Sequence, residues 1–295
     1  MTVAGELVPV ASGGLAARIN PLGAELWSLT DAAGREYMTD ADPAFWTGHA
    51  PLLFPIVGAL NGGTYRLDGE EYALPKHGFA RTSRFDLANA RPDRVSFELR
   101  DDEESRKVYP FGFALVVEFA LSGRTLAVTA SVRNTGDRTM PFSFGFHPAL
   151  AWPLPEAGPK DRHRVIFAEK EPEAIRRIDP VTATLLPRSE PTPVVGNVLA
   201  PTAALFEKDA LIWDRLNSRA LSFAGEGAAL DLGFPDSPNL GIWQKPGAPF
   251  LAIEPWHGFN DPQGFDGDIF AKPGIIALPP GEERGFRMDV TVRRG

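Results

Sequence analysis

The sequence predicts an all-β protein, a large antiparallel β-sandwich built as a single domain over residues 1–295. Two observations carry that expectation. Apolar residues recur with a period of two in segment after segment, as a sheet with one buried face requires. Glycine and proline, 29 and 28 residues, punctuate the chain at short intervals, and either one costs stability inside a helix. Length alone suggests two domains, but β-sandwiches of roughly 250 residues are common as one unit, and no break in composition marks a boundary.

In chain order, TYRLDGEEYALP reads as a hairpin turning at Asp68-Gly69. VSFELR sets Val95, Phe97 and Leu99 against Ser96, Glu98 and Arg100. FALVVEFAL, Phe113 to Leu121, is more continuously apolar and predicts a central strand covered on both faces. TLAVTASV places Leu126, Val128, Ala130 and Val132 on one side. MPFSFGFHPAL is an aromatic strand ended by Pro148, which presents His147 at a sheet margin. From Pro153 to Pro201 the chain is rich in proline and charge, predicting long connections around one short strand, HRVIFAE. FLAI is a buried strand that delivers Glu254 at its end, with Pro255 as terminator, and GFRMDVTVR alternates cleanly from Phe286 to Val292.

Composition excludes several function classes. The net charge is −8, the pI about 5.2, and no run of Lys and Arg stands out, so nucleic acid is not an expected partner. The absence of cysteine excludes disulfides, thiolate catalysis and Cys-ligated zinc. No segment approaches the ~18 apolar residues of a membrane span, and MTVAGELVPVASGG lacks a signal-peptide pattern, so the expectation is a cytoplasmic protein without membrane partners. Neither G-x-S-x-G nor H-E-x-x-H occurs, and LNGG and GGTY are turns outside a strand–glycine–helix context. Asp261, Asp266 and Asp268 do not match a calcium loop; they read as a solvated loop, and no metal site is expected.

Three motifs carry chemistry. KHGFAR offers His77, a glycine that lets backbone come close, and the donor fork of Arg81. This is either a ligand-facing wall or a loop pinned by His77, with Arg81 paired to a carboxylate. FGFHPA presents His147, a proton donor or acceptor near neutral pH or else a strand cap. AIEPWHGFND places Glu254 after four apolar residues, where a carboxylate is partly desolvated and needs a partner. It reads as a structural ion pair or a general base, with Trp256 as a flat wall. His257 is expected to serve packing or loop anchoring.

Taken in order with GAELWSL, PLLFPIVGALNGGTY, YPFGFAL, LGIWQKPGAPFLAIEPW and LPPGEE, these motifs resemble the aldose 1-epimerase (galactose mutarotase-like) superfamily, most nearly its LacX-type branch. The resemblance covers most of the chain. It implies a large antiparallel β-sandwich and a cofactor-independent isomerase that interconverts the anomers of a sugar. By resemblance His147 is the catalytic acid and Glu254 the base, while His77, Arg81, Trp243 and Asp214 contact the substrate. Many relatives carry an arginine where this chain has Ala59, so another residue, Arg81 being the nearest candidate, must supply that contact or the substrate differs. A sugar-binding protein without catalysis, a hexose-6-phosphate 1-epimerase and a two-carboxylate glycoside hydrolase are the alternatives. The expected partner is a small sugar, and the expected assembly a monomer or homodimer. A bell-shaped pH dependence is expected of the pair, with mutual attraction and desolvation pulling its pKa values in opposite directions.

Overall fold

Burial follows the period-two alternation. A computed structural model describes residues 6–294, and in its strand Thr125–Asn134 the residues Leu126, Val128, Ala130 and Val132 are buried while Thr125, Ala127, Thr129 and Ser131 are half-exposed. Glu283–Arg294 pairs antiparallel with it and buries Phe286, Met288, Val290 and Val292 in the same way. Among the described residues these two strands lie at the centre of a nine-stranded sheet. On one side follow Phe113–Ser122, Arg94–Arg100 and Asp86–Arg91; on the other Ala228–Gly233, Ala220–Ala224, Arg164–Phe167 and Val198–Leu199.

A six-stranded sheet packs against it. Its order is Leu211–Trp213, Asn239–Trp243, Phe250–His257, Phe144–Phe146 and Leu52–Leu53, with Ala149–Ala151 also paired to Phe250–His257. Aromatic side chains bridge the layers: Phe144 stacks on Phe286 with ring centroids 4.8 Å apart, and Phe167 meets Trp213 at 5.7 Å. The all-β sandwich expected from the alternation is the observed architecture. Among the described residues no helix is long and apolar enough to cross a membrane.

Several local expectations are corrected. Phe113–Ser122 is central in its sheet but covered on one face only, since Val116, Glu118 and Ala120 are half-exposed. Valine and alanine there satisfy the pleated backbone without being buried. Glu103–Val108 is an α-helix, started by a capping box between Asp102 and Ser105 that period-two reading passes over. Pro255 does not end its strand, which runs on to His257. Ile253 donates to Pro148 O at 3.1 Å, so two residues on, the nitrogen of Pro255 faces the same side. There the register runs unbroken from Phe144 against His257 to Ala151 against Phe250, so Pro255 stands opposite Phe146, and the N–H that it and Pro148 lack leaves ladder hydrogen bonds unmade. His147 is therefore held inside the sheet, opposite Glu254, rather than at its margin.

Candidate active site

Strand register creates the site. The pairing that sets Gly145 against Trp256 and Ala149 against Ala252 puts His147 directly opposite Glu254, the residue before Pro255. His147 Nε2 lies 3.0 Å from Glu254 Oε2, and both side chains are nearly closed to solvent, 8% and 2% exposed. They line a cavity of about 730 Å³, counting the part open to solvent, together with Trp46, Lys76, His77, Arg81, Asp209, Trp243, Trp256 and Asn260.

Each wall has a local cause. Trp256 lies flat on the sheet because glycines leave it room: a Cβ on Gly145, directly opposite, or on Gly241, opposite the preceding Glu254 two residues away, would come to 2.5 Å from the indole. Trp46 stacks on His147, with centroids 5.0 Å apart and planes inclined by 27°, and Trp243 meets Trp46 edge-on at 5.6 Å. Such aromatic faces suit the apolar faces of a sugar ring and leave its rim for polar groups. His77 adopts a left-handed backbone (φ 71°), and its N–H donates to Gly58 O at 2.8 Å. Gly58 N–H donates to His77 Nδ1 at 3.1 Å, which leaves Nε2 as the N–H of the neutral ring. His77 therefore pins a loop and lines the cavity, without, among the described residues, the carboxylate partner for Arg81 that the loop reading included. Asp209 sits at φ 67°, accepting from Ala210 N at 2.7 Å, while Arg177 donates to the carbonyls of Leu205, Asp209 and Ala210 and fixes that segment.

Burial decides the electrostatics. Desolvation pushes His147 down to about 3, helped by the charges of Arg81 and Lys76. It pushes Glu254 well above the usual carboxylate range, with Lys76 opposing and Asp209 reinforcing. Burial thus disfavours the charged form of each partner in the hydrogen bond. His77 is held well below its ordinary value by burial and by neighbouring positive charge, so it is neutral. Burial also lowers Arg81, against the pull of Glu25. No hydrogen bond or ion pair within the described residues occupies its guanidinium.

Of the residues singled out in the sequence, the cavity brings together His147, Glu254, His77, Arg81 and Trp243. It does not bring in Asp214, which pairs with Arg176 (3.0 Å) outside the cavity wall. The carboxylate at the cavity is Asp209, on a loop with no motif to announce it. Ala59 is buried and does not line the cavity; Lys76 and Arg81 are its cations. Lys76 stands beside His77 and was legible from that adjacency, and Trp46 from being a large aromatic in the turn-rich segment ADPAFWTG. His257 lies outside the cavity, its ring edge-on to Phe286 at 6.2 Å. The solvated-loop expectation holds for Asp266 alone: Asp261 is buried against Lys272, and Asp268 caps the turn Ile269–Ala271. Ile178, from the proline-rich connection, completes the cavity wall.

Comparison with known proteins gives the family. The family model described as aldose 1-epimerase matches residues 6–290. Two LacX proteins of Lactococcus lactis subsp. lactis, one chromosomal and one plasmid-borne, are each 32% identical over 289 residues, covering 94% of this chain and 96% of theirs. Among solved structures, a galactose mutarotase related enzyme from Lactobacillus acidophilus superposes with a TM-score of 0.89 at 32% identity, covering 97% of both chains. A galactose mutarotase-like protein from Lactobacillus casei gives 0.90 at 30% identity, covering 97% of this chain and 100% of that one. The chain belongs to the aldose 1-epimerase family.

Proposed function

We propose that this protein is a cofactor-independent aldose 1-epimerase, a single-domain cytoplasmic enzyme that interconverts the α and β anomers of a sugar. The observation that carries the reading is the 3.0 Å contact between His147 Nε2 and Glu254 Oε2 in a cavity walled by Trp46, Trp243 and Trp256. Glu254 takes the proton of the C1 hydroxyl while His147 delivers one to the ring oxygen. The C1–O5 bond breaks, the aldehyde rotates about C1–C2, and the ring closes with the two roles reversed. His77 Nε2–H, Arg81 and Asp209 hold ring substituents.

The single proton of the pair gives the chemistry its pH dependence. The reactive arrangement has a bare carboxylate and a protonated imidazole, so the pair carries one proton between its two members. Sugar oxygens entering the hydrogen bond exchange with that proton and need none from solvent. Activity falls on the acid side when a second proton enters, a step pushed low by the burial of His147. It falls on the alkaline side when the only proton leaves, a step pushed high by the burial of Glu254. The profile is a bell with a broad top, and its limbs belong to the pair rather than to either residue.

A second reading has its own observation. Lys76 and Arg81 both line the cavity and neither is ion-paired within the described residues, which favours a substrate bearing negative charge, such as a sugar phosphate. An anomerisation assay over free and phosphorylated aldoses, with Glu254→Gln as control, tests both. Acceleration of a free aldose by the wild type alone supports the first reading, and preference for the phosphorylated sugar the second. No acceleration of any aldose leaves a binding protein.

A further inference from the structure

We propose that Asn260 is a substrate-contacting residue whose amide oxygen accepts from a sugar hydroxyl, and that the buried Lys272–Asp261 ion pair is the strut that positions it. The inference rests on reading the cavity as a sugar site. Asn260 lines that cavity and is itself buried. Its Nδ2 donates to Ala183 O at 2.7 Å. A carbonyl can only accept, so the NH₂ edge of the amide is fixed there, and the oxygen is the edge left for another partner. On its flank Gly58 makes room: a Cβ at that position would collide with the Asn260 amide. The same Gly58 exchanges hydrogen bonds with His77, so the amide and the imidazole share one backbone support.

The strut acts on both sides of Asn260. Lys272 Nζ donates to Phe259 O and to Asp261 Oδ1, each at 2.7 Å, which are the residues immediately before and after it. Asp261 Oδ2 accepts from Asn61 N at 2.9 Å, its N–H donates to Ala59 O at 2.9 Å, and its carbonyl accepts from Leu185 N at 2.8 Å. Three separate segments are thereby tied to one short turn. Replacing a buried ion pair by well-packed apolar residues is often neutral or stabilising. Stability therefore does not account for this pair; what it does supply is fixed geometry around Asn260. Burial lowers the Lys272 ammonium and Asp261 opposes that loss, so the charge depends on the partner.

Monodeoxy aldoses supply the test, with KM and kcat followed by NMR anomer exchange and parent-sugar binding by saturation-transfer NMR. Against the wild type, deletion of one hydroxyl raises KM by about tenfold, the worth of one neutral hydrogen bond. In Asn260→Ala the parent sugar suffers that rise, and deleting the same hydroxyl then has no further effect. The double variant Asp261→Asn/Lys272→Met, folded by circular dichroism, behaves as Asn260→Ala does, with kcat much less affected than KM. Unchanged deoxy-sugar discrimination in Asn260→Ala overturns the contact. A double variant with a lowered melting temperature but wild-type KM and discrimination overturns the strut. A wild-type protein that binds no parent aldose overturns the sugar-site reading and this proposal with it, an outcome distinct from wild-type binding that Asn260→Ala leaves intact.

Discussion

His147–Glu254 and Lys272–Asp261 are both buried acid–base pairs, in contact at 3.0 and 2.7 Å, yet they are finished in opposite ways. Around Lys272 and Asp261 the polar atoms are used: Phe259 O, Asn61 N, Ala59 O and Leu185 N complete the network. Glu254 has His147 as its side-chain partner, and among the described residues His147 Nδ1 has none. A saturated pair in low dielectric is rigid, whereas an unsaturated one retains capacity for an incoming group. The first holds a wall, and the second faces the space the wall encloses.

The largest expected effect lies on the unsaturated side. Glu254→Gln and His147→Ala each remove one proton carrier and lower turnover by about 10²–10⁴-fold, the usual contribution of a general acid or base. Circular dichroism of both variants stays that of the wild type. On the saturated side stability responds instead. Asp261→Asn strands the Lys272 ammonium and costs about 3–5 kcal/mol in urea unfolding, as breaking a buried pair does. Glu254→Gln costs less than Asp261→Asn, because burial disfavours the Glu254 carboxylate and a neutral amide carries no such penalty. Equal stability losses in the two variants would erase the contrast.

A smaller effect, spread over the molecule, sharpens the comparison through pH. All five histidines have lowered pKa values, burial being the first cause in each, with His49 at about 4 and His147 at about 3. The unfolded chain takes up protons near pH 6.5 that the folded chain refuses, so stability is present above that pH and is lost as pH falls towards the folded values. Each histidine contributes a slope of up to about 1.4 kcal/mol per pH unit. The histidine contribution to the melting temperature accordingly falls between pH 7 and pH 5, against the opposite contribution of the raised carboxyls of Glu25 and Glu254, and the wild type loses more over that range than a His147→Ala variant. Parallel curves for the two proteins would show that His147 titrates normally.

How much of this was legible follows from what a sequence encodes locally. Alternation in TLAVTASV and GFRMDVTVR wrote the large sheet, because one buried face imposes a period of two. His147 and Glu254 were legible because each stands beside a proline after an apolar run. Their convergence was not, since it depends on the register between strands far apart in the chain. Asp209 and Asn260 arrive from loops, where no periodicity points a side chain anywhere. Asp214 lies away from the cavity for the same reason: a carboxylate after an apolar strand looks alike whether its partner is Arg176 or a ligand.

The most direct measurement is anomer exchange of an aldose followed by magnetisation-transfer NMR at neutral pH, comparing the wild type with Glu254→Gln at equal concentration. The account predicts exchange well above the uncatalysed rate for the wild type and near that rate for the variant. Fast exchange that survives the loss of the carboxyl would contradict it, as would a sugar that binds in the cavity and exchanges no faster than in water.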